Sequence, residues 1–501
     1  MQLNNFSMGL NLKIAPHLIR QEEGVIYSNI DNAALSLSPI NQDTDINITG
    51  GNSMVYFKGS WITSSQIRDY VEFQNKLYYT NGIDIPKKST NGTTWYNLGI
   101  DKPIAKISPI SVATPGNLNG TYQWCYTYYN STDGTESMPN EFSAEVVVTS
   151  GKATLTLVAS TDPQVTNIRL YRLGGNLLYM TMVIELSNTS QNYEDNIADI
   201  NVTSISLSSE NNGVPQNGLQ FLTEFNTMMF GAKGSILYFT DIAFPNYWGP
   251  FNFIEFEADI TAIGVTVNGL LVFTKSRTYT ITGNTPSGLT KYLLSSYQGC
   301  KTHRSIQFLD GGCIFVSNDG ICIADGAQIK VISNLKFNKL ELDVIDSAIY
   351  NDEYYTILSD KTIIVDFKSG QPIFKYIDIT GQCIYYSHDL DNLYYSKTNA
   401  IYSCFTSNTK RNLHYKSGKI SEGSLTNRKN YNNIYIYSTG LMECKVYIDS
   451  VLLNTYSLVA GVNDITVPVA SRYGYYLELE FSGSNEILEV EYKVEGRQNG
   501  R

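Results

Sequence analysis

The sequence predicts an all-β protein: a β-propeller that is interrupted by an inserted β-sandwich and followed by a second β-sandwich. Tyrosine and phenylalanine supply 37 and 20 of the 501 residues. Only 17% of residues are charged, against about 25% in ordinary soluble domains. Aromatic and β-branched residues favour strands over helices. The prediction also rests on a recurring hairpin motif and on two turn-rich segments in which the period of that motif is absent.

The recurring motif consists of an Asn or Asp turn residue, a short apolar strand, a polar turn and a second apolar strand. Its copies begin at Asn75, Asn226, Asn268, Asp310, Asn351 and Asp391. From the second copy to the last, the intervals are 42, 42, 41 and 40 residues. A four-stranded propeller blade occupies about 40–45 residues. The period therefore predicts consecutive blades.

The first interval, from Asn75 to Asn226, is 151 residues and breaks this period. An inserted domain of about 105 residues restores it, because the remainder is again the length of one blade. Residues 104–208 contain short alternating strands, such as 122–129 and 167–172, and turn-rich sequences flank them. Strands at this spacing are typical of a β-sandwich.

The chain thus divides into five predicted parts. We expect an extended arm over residues 1–50, a first part of the propeller over 51–103 and the insert over 104–208. The remaining blades follow over 209–410, and a β-sandwich with alternating strands closes the chain over 411–501.

The sequence offers little for catalysis. It contains no G-x-S-x-G, P-loop or G-x-G-x-x-G motif. The four histidines lie far apart in sequence: His17, His303, His388 and His414. Two D-x-D pairs have oxygen ligands suited to a divalent cation, although aspartates at such spacing usually accept backbone hydrogen bonds within turns: Asp43 with Asp45, and Asp389 with Asp391. We expect no catalytic residues, no metal site and no cofactor.

A propeller glycosidase, such as a sialidase, would carry repeated Ser-x-Asp-x-Gly-x-x-Trp turns. The two nearest segments, 131–134 and 317–320, place the glycine one residue early and lack the tryptophan. With four tryptophans in the whole chain, a repeated tryptophan motif is impossible. A propeller hydrolase is therefore the weakest of the alternatives, and the chain is predicted not to be an enzyme.

The seven cysteines are odd in number and form no CxxC pair. Most have apolar neighbours in sequence, so we expect buried free thiols that act as small hydrophobic side chains. The amino terminus lacks the basic and apolar regions of a signal peptide. No apolar stretch approaches the ~18–20 residues of a membrane-spanning helix. These features predict a soluble chain with no membrane segment.

The 47 acidic and 36 basic side chains give a formal net charge of −11. A pI near 5.0 argues against sequence-specific binding of duplex DNA, which needs a basic face. Basic residues cluster once: Lys410, Arg411, His414, Lys416 and Lys419, followed by Arg428 and Lys429. This cluster is either a solvated linker between propeller and final domain or an interface for an acidic neighbour or a phosphate backbone.

Three groups of segments resemble one family, the propeller "stabilisation" or nozzle proteins in the tails of phages, chiefly short-tailed ones. The amino-terminal group is GLN (9–11), APHLI (15–19) and NID (29–31). The insert contains GTYQW (120–124), DGTESMP (133–139) and IRLYR (168–172), which are similar to the fibronectin-III-like module of many phage tail proteins. The most specific group is YFTD (238–241), Pro245, Trp248, GLLVFTK (269–275), YTITG (279–283), 299–300, 304–305, NDGI (318–321) and DG (325–326).

The resemblance implies a structural virion protein of the phage tail, made in the host cytoplasm. Such a protein forms a ring with itself, usually a homohexamer, below the portal-adaptor protein (the head-to-tail connector), and it neighbours tail fibres or spikes. It retains packaged DNA and forms the conduit for passing viral double-stranded DNA during ejection. A negative net charge suits that role, because it weakens affinity for phosphates. The alternative is a carbohydrate-binding adhesin or receptor-binding tail module. The sequence assigns no residue to a DNA channel or gate.

Overall fold

The computed structural model describes residues 39–333, 342–368, 370, 372–420 and 428–496. Within these ranges the chain is all-β, with many small antiparallel sheets. The only helical elements in the same ranges are three short 3₁₀ turns: Asp199–Asn201, Pro286–Gly288 and His303–Ser305. The predicted all-β class is confirmed. No helix in the described part of the chain has the length and apolar character needed to cross a membrane.

The first strands belong to a ring of sheets. They are β1 (Thr44–Thr49), β2 (Ser53–Phe57), β3 (Ser60–Ser64), β4 (Asp69–Phe73), β5 (Lys76–Thr80), β6 (Lys87–Ser89) and β7 (Tyr96–Asn97). Strands β2 and β3 form a hairpin, and β4 to β7 form the first four-stranded meander.

A five-stranded sheet interrupts the ring. It contains β8 (Ser111–Tyr129), β9 (Val146–Leu157), β10 (Asn167–Gly174), β11 (Leu177–Ser187) and β12 (Gln191–Asp195). The strand order is β11-β10-β8-β9-β12. The long β8 pairs with β9 through its first half and with β10 through its second half. The fibronectin-III-like character of this segment stays a prediction.

Four further meanders then follow the insert. Their strands are β13 (Gln220–Phe225), β14 (Met228–Lys233), β15 (Ile236–Phe239), β16 (Phe253–Glu255), β17 (Ile260–Thr266), β18 (Gly269–Thr274), β19 (Thr278–Thr282), β20 (Thr290–Ser295), β21 (Gln307–Leu309), β22 (Gly312–Ser317), β23 (Gly320–Ala324), β24 (Ile329–Val331), β25 (Asp346–Tyr350), β26 (Glu353–Ile357), β27 (Thr362–Asp366) and β28 (Ile373–Ile377). Each consecutive set of four strands forms one antiparallel sheet.

The last sheet of the ring joins two distant parts of the chain. It consists of β29 (Cys383–Ser387), β30 (Asn392–Lys397), β31 (Ala400–Ser403) and, as its fourth strand, β1. Strand β1 pairs antiparallel with β31, for example Thr44 opposite Ser403. The predicted arm of residues 1–50 therefore contributes a sheet strand at its carboxyl end; residues 1–38, including the resembling segments 9–31, lie outside the described residues.

The first strands of successive sheets contact one another in the order β4, β13, β17, β21, β25, β29 and β2. The β2–β3 hairpin lies between the last and the first sheet, because Met54 packs with Cys383 while Val55 packs with Leu77. The described residues thus form a propeller-like ring of six four-stranded sheets and one hairpin.

Each copy of the sequence repeat marks the turn between the first and second strand of one meander. Asn75, Asn226, Asp310, Asn351 and Asp391 have left-handed backbone conformations, with φ between 47° and 59°. Asn and Asp tolerate this region better than other side-chain-bearing residues, and tight hairpins require it. Hairpin geometry therefore explains the recurring Asn or Asp, and the period of 40–42 residues reflects one such turn per four-stranded sheet.

The carboxyl-terminal part contains two four-stranded sheets that share one hydrophobic core. Their strands are β32 (Leu413–Lys416), β33 (Lys429–Ser438), β34 (Met442–Ile448), β35 (Val451–Leu458), β36 (Gly461–Thr466), β37 (Tyr473–Gly474), β38 (Leu477–Gly483) and β39 (Ile487–Gly496). Ile434 and Phe481, one from each sheet, are fully buried in that core. The predicted bounds of the five parts stay predictions.

Candidate functional site

One cavity of the ring lies where the first strands of the sheets converge. It is partly open, has a volume of about 700 Å³ and is lined from β2, β4, β13, β25, β29 and the segment 303–308. We call it the axial cavity. Pockets of roughly 300–1,000 Å³ are typical of small-molecule sites.

One end of the axial cavity is charged. Several first strands begin there, and charged residues lie at or just before their starts. Arg304 Nη1 lies 3.2 Å from Asp346 Oδ2. The same carboxylate accepts a hydrogen bond of 2.9 Å from the backbone N of Ile384. Burial raises the pKa of Asp346 to about 6, although the neighbouring Arg304 guanidinium opposes the shift. The buried carboxylate is therefore held by the Arg304 guanidinium and by backbone donors of Ile384 and Ser347.

His303 lies at the same end, in front of β17. Its Nδ1 accepts a hydrogen bond of 3.4 Å from Ile263 N, which leaves Nε2 as the protonated nitrogen. Its ring lies 4.9 Å from that of Phe221. Burial lowers the pKa of His303, so the imidazole is neutral at pH 7. Asp69 completes this end and accepts a hydrogen bond of 3.3 Å from Phe221 N.

The opposite end of the axial cavity is aromatic. The rings of Tyr350 and Tyr386 lie 5.4 Å apart, and those of Tyr386 and His388 lie 4.7 Å apart. Tyr386 donates a hydrogen bond of 2.9 Å to Asp391 Oδ1 in the adjacent turn. The cavity thus combines a charged end with an aromatic end, an arrangement suited to binding a polar molecule through hydrogen bonds and ring contacts.

The two D-x-D pairs occupy structural positions. Asp43 accepts hydrogen bonds from Tyr395 and Arg411, and Asp45 accepts one from Asn47 N two residues on. Asp391 lies in the β29–β30 turn and accepts from Tyr386. Among the described residues no three His, Cys, Asp or Glu side chains group as metal ligands. Of these contacts, that of Asp45 is the expected turn chemistry, whereas Asp43 and Asp391 accept from side chains outside their own turns. Asp389 is exposed in the β29–β30 turn.

The predicted basic cluster is engaged in internal contacts. Arg411 binds the carboxylates of Asp43 and Asp378. The ammonium groups of Lys416 and Lys419 lie 4.1 and 4.5 Å from the ring centres of Tyr447 and Tyr476. His414, Arg428 and Lys429 also bind groups of the carboxyl-terminal sheets. These side chains therefore contact the last part of the chain, whereas the Lys410 side chain is exposed. The choice between a solvated linker and an interface stays a prediction.

The two turns that lack the glycosidase pattern have different roles. Asp133 of the first turn binds Lys88 of β6, and Gly134 O accepts a hydrogen bond of 3.3 Å from Tyr247. This turn therefore fastens the insert to the ring. Ser317 of the second turn accepts a hydrogen bond of 3.0 Å from Asp319 N within its own hairpin.

All seven cysteines are buried and form no disulfide, as expected. Burial raises the pKa values of their thiols; that of Cys300 is about 11. They are Cys125, Cys300, Cys313, Cys322, Cys383, Cys404 and Cys444.

The charged end of the axial cavity was not predicted from sequence. Arg68, Asp69, Arg304 and Asp346 each lie at or just before the start of a first strand. The one sequence signal they share is this position relative to the repeat turn that follows. The remaining histidine, His17, lies outside the described residues.

A second surface feature lies on the outer strands of two neighbouring meanders. Phe251 and Phe253, at β16, are 83% and 40% exposed, and Tyr292 and Leu293 of β20 are 56% and 54% exposed. Tyr297, which follows β20, is 73% exposed. We call these five side chains the rim residues. Strand β20 ends its sheet, so one backbone edge beside the rim residues has no strand partner among the described residues.

No family model and no curated protein matches the chain. Solved structures that match the chain include the AfRom2 CNH domain, at 8% identity and a TM-score of 0.28; the match covers 76% of this chain and 96% of that one. BamB from Moraxella catarrhalis is 9% identical, with a TM-score of 0.27, and covers 72% and 98%. PorZ of Porphyromonas gingivalis is 12% identical, with a TM-score of 0.34; the match spans 88% of this chain and 60% of PorZ.

Proposed function

We propose that the chain is a structural virion protein that assembles into a ring at the distal end of a phage tail, the nozzle. There it retains packaged DNA and forms the conduit for genome ejection. The observation that carries the proposal is the set of rim residues beside an open strand edge. Large apolar side chains grouped on a surface are typical of protein–protein interfaces, and aromatic side chains are enriched there.

The exposed edge of strand β20 also indicates a protein–protein interface. Monomeric proteins usually protect edge strands with charge, proline or a covering segment. Strand β20 exposes four consecutive residues, Thr290 to Leu293, and its one charged side chain, Lys291, donates a hydrogen bond of 2.7 Å to Glu255 O in the neighbouring meander. The Lys291 ammonium is therefore held at the neighbouring meander, and β20 carries no second charged side chain.

The size of the axial cavity indicates where DNA would pass. First strands of five residues, such as β4 and β25, span roughly 17 Å, so a cavity of about 700 Å³ with that length is roughly 7 Å across. A B-DNA duplex is wider than its major groove, and the major groove is itself about 12 Å wide. A duplex does not fit through one propeller-like ring, and the proposed conduit therefore lies between copies of the chain.

The charge of the chain is compatible with that conduit. The formal net charge is −11, and proteins with few available cations bind phosphate backbones weakly. Within the predicted basic cluster, Arg411 is paired with carboxylates, and Lys416 and Lys419 lie over tyrosine rings. We propose that the net negative charge lets DNA slide through the conduit instead of being held there.

The test is the mass of the native assembly. A chain of 56.0 kDa gives a hexamer of about 336 kDa, measurable by native mass spectrometry, and negative-stain images should show a ring or tube tip. Replacing Tyr292 and Leu293 by serine should release 56.0-kDa monomers. Thr290→Ala on the same strand is the matched control. A wild-type chain that stays monomeric and never accompanies virions would exclude the proposal.

A further inference from the structure

We propose that the axial cavity binds a neutral saccharide, with the charged end hydrogen-bonding its hydroxyls and the aromatic end packing on a sugar ring. This inference goes beyond the nozzle proposal and is independent of it, because the site lies within a single copy of the chain.

Charge balance restricts the ligand. The charged end contains two guanidinium groups, Arg68 and Arg304, and two carboxylates, Asp69 and Asp346. An anion entering there meets the carboxylates, and a cation meets the guanidiniums, so either is repelled by part of the wall. A neutral polar molecule is repelled neither by the carboxylates nor by the guanidinium groups.

Unused hydrogen-bonding capacity points to hydroxyl groups. Within the described residues Asp69 accepts one hydrogen bond, from Phe221 N, whereas a carboxylate has about four acceptor sites. Arg304 Nη1 lies 3.2 Å from Asp346 Oδ2, and the buried Nε of Arg304 has no hydrogen-bond partner in the part of the chain that the structure describes. A hydroxyl both donates to a carboxylate and accepts from a guanidinium, so a polyhydroxyl compound satisfies both residues together.

The aromatic end supplies the second element of saccharide recognition. Tyr350, Tyr386 and His388 present adjoining rings in the cavity lining. The apolar C–H face of a sugar packs on such rings, since aromatic side chains bury large areas with a fixed geometry. The exposed Asp352 carboxylate beside them adds a hydrogen-bond acceptor.

The volume fits the same class of ligand. A cavity of about 700 Å³ falls within the range of sites that enclose small organic ligands, roughly 300–1,000 Å³. It accommodates a mono- or disaccharide and is too small for a folded partner or a duplex.

The experiment measures sugar binding by the full chain in ligand-observed NMR and calorimetry. The probes are glucose, galactose, N-acetylglucosamine, maltose and lactose, with glucuronate and glucosamine as charged counterparts. At least one neutral sugar should bind, and its charged counterpart should bind at least tenfold more weakly. Absence of binding by all five neutral sugars, or tighter binding of a charged one, overturns the proposal.

Two variants locate the site. Asp69→Asn at the charged end and Tyr386→Leu at the aromatic end should each weaken binding at least tenfold while the melting profile is retained. Because they lie at opposite ends of the cavity, one remains informative if the other fails to fold. Asp319→Asn, an exposed carboxylate in the β22–β23 turn, is the matched control. Binding that survives both variants unchanged overturns the assignment of the site.

Discussion

Lys88 of β6 and Asp133 of the insert form a buried ion pair, with Nζ 2.8 Å from Oδ2 and side chains only 5% and 15% exposed. Lys88 also donates a hydrogen bond of 3.1 Å to Asn246 of the β15–β16 connection. Asn246 in turn donates one of 2.7 Å to Thr135 of the insert. Three segments that are distant in sequence meet at these four side chains, so the insert is fastened to the ring by a polar cluster.

The first prediction concerns this pair. Asp133→Asn leaves the Lys88 ammonium buried without its carboxylate, and breaking a buried pair in this way costs about 3–5 kcal/mol. We expect a lower thermal unfolding midpoint and faster hydrogen exchange over residues 131–135. Lys152→Met, which breaks the more exposed pair with Glu194, serves as the control and should cost at most about 1 kcal/mol. Equal effects of the two variants would contradict the role of Lys88.

The second prediction concerns pH and the carboxyl-terminal sheets. Burial opposes ionisation of Glu480, but contacts from Tyr447, His414 and Lys445 at 2.6, 2.8 and 3.0 Å outweigh it and lower its pKa to about 2. Because the folded pKa lies below the ordinary value of 4.5, the stabilisation is present above that pH. It is lost as the pH falls towards 2.

Urea unfolding between pH 7 and pH 3 tests this prediction. Glu480→Gln should reduce the free energy of unfolding at pH 7 by up to roughly 3 kcal/mol and flatten its decline in acid. Glu443→Gln changes a neighbouring, more exposed carboxylate and should leave the acid decline as in the wild type. If the free energy of unfolding of Glu480→Gln fell with pH in parallel with that of the wild type, ionisation of Glu480 would not be the cause of the acid decline.

The third prediction concerns the repeat turns. Asn75 has a φ of 59° and an exposed side chain in the β4–β5 hairpin. A β-branched residue in the left-handed region costs about 1–2 kcal/mol, so Asn75→Val should lower the unfolding midpoint. Asn75→Gly is the matched control and should equal or exceed the wild type, because glycine adopts this conformation without strain. A destabilised Asn75→Gly variant would show that the asparagine side chain itself is needed.

The fourth prediction concerns the thiols. All seven are buried, and burial raises the pKa values of Cys313 and Cys404 well above their ordinary range. Since the thiolate is the reactive form, the native protein should react with a water-soluble disulfide reagent at fewer than one thiol per chain at pH 8. In denaturant all seven should react. Rapid labelling of the folded protein would show that one of these side chains is accessible.

The hairpin turns were predictable from sequence because their cause is local. The residues from 75 to 391 that open each repeat take left-handed or tight-turn conformations that Asn and Asp favour. The buried cysteines were predictable for a similar reason, since their immediate neighbours are apolar. The contacts of the basic cluster were not predictable, because the tyrosines over which Lys416 and Lys419 lie are some thirty or more residues away in the chain.

By itself the sequence determined the all-β class, the blade-length period and the place where that period is interrupted. These properties follow from side-chain preferences and turn geometry over a few residues. Only the tertiary structure decided that β1 completes the last sheet and that Asp69, His303, Arg304 and Asp346 share one cavity. Ring closure brings together strand ends that are more than two hundred residues apart, and no local preference encodes which of them will face one another.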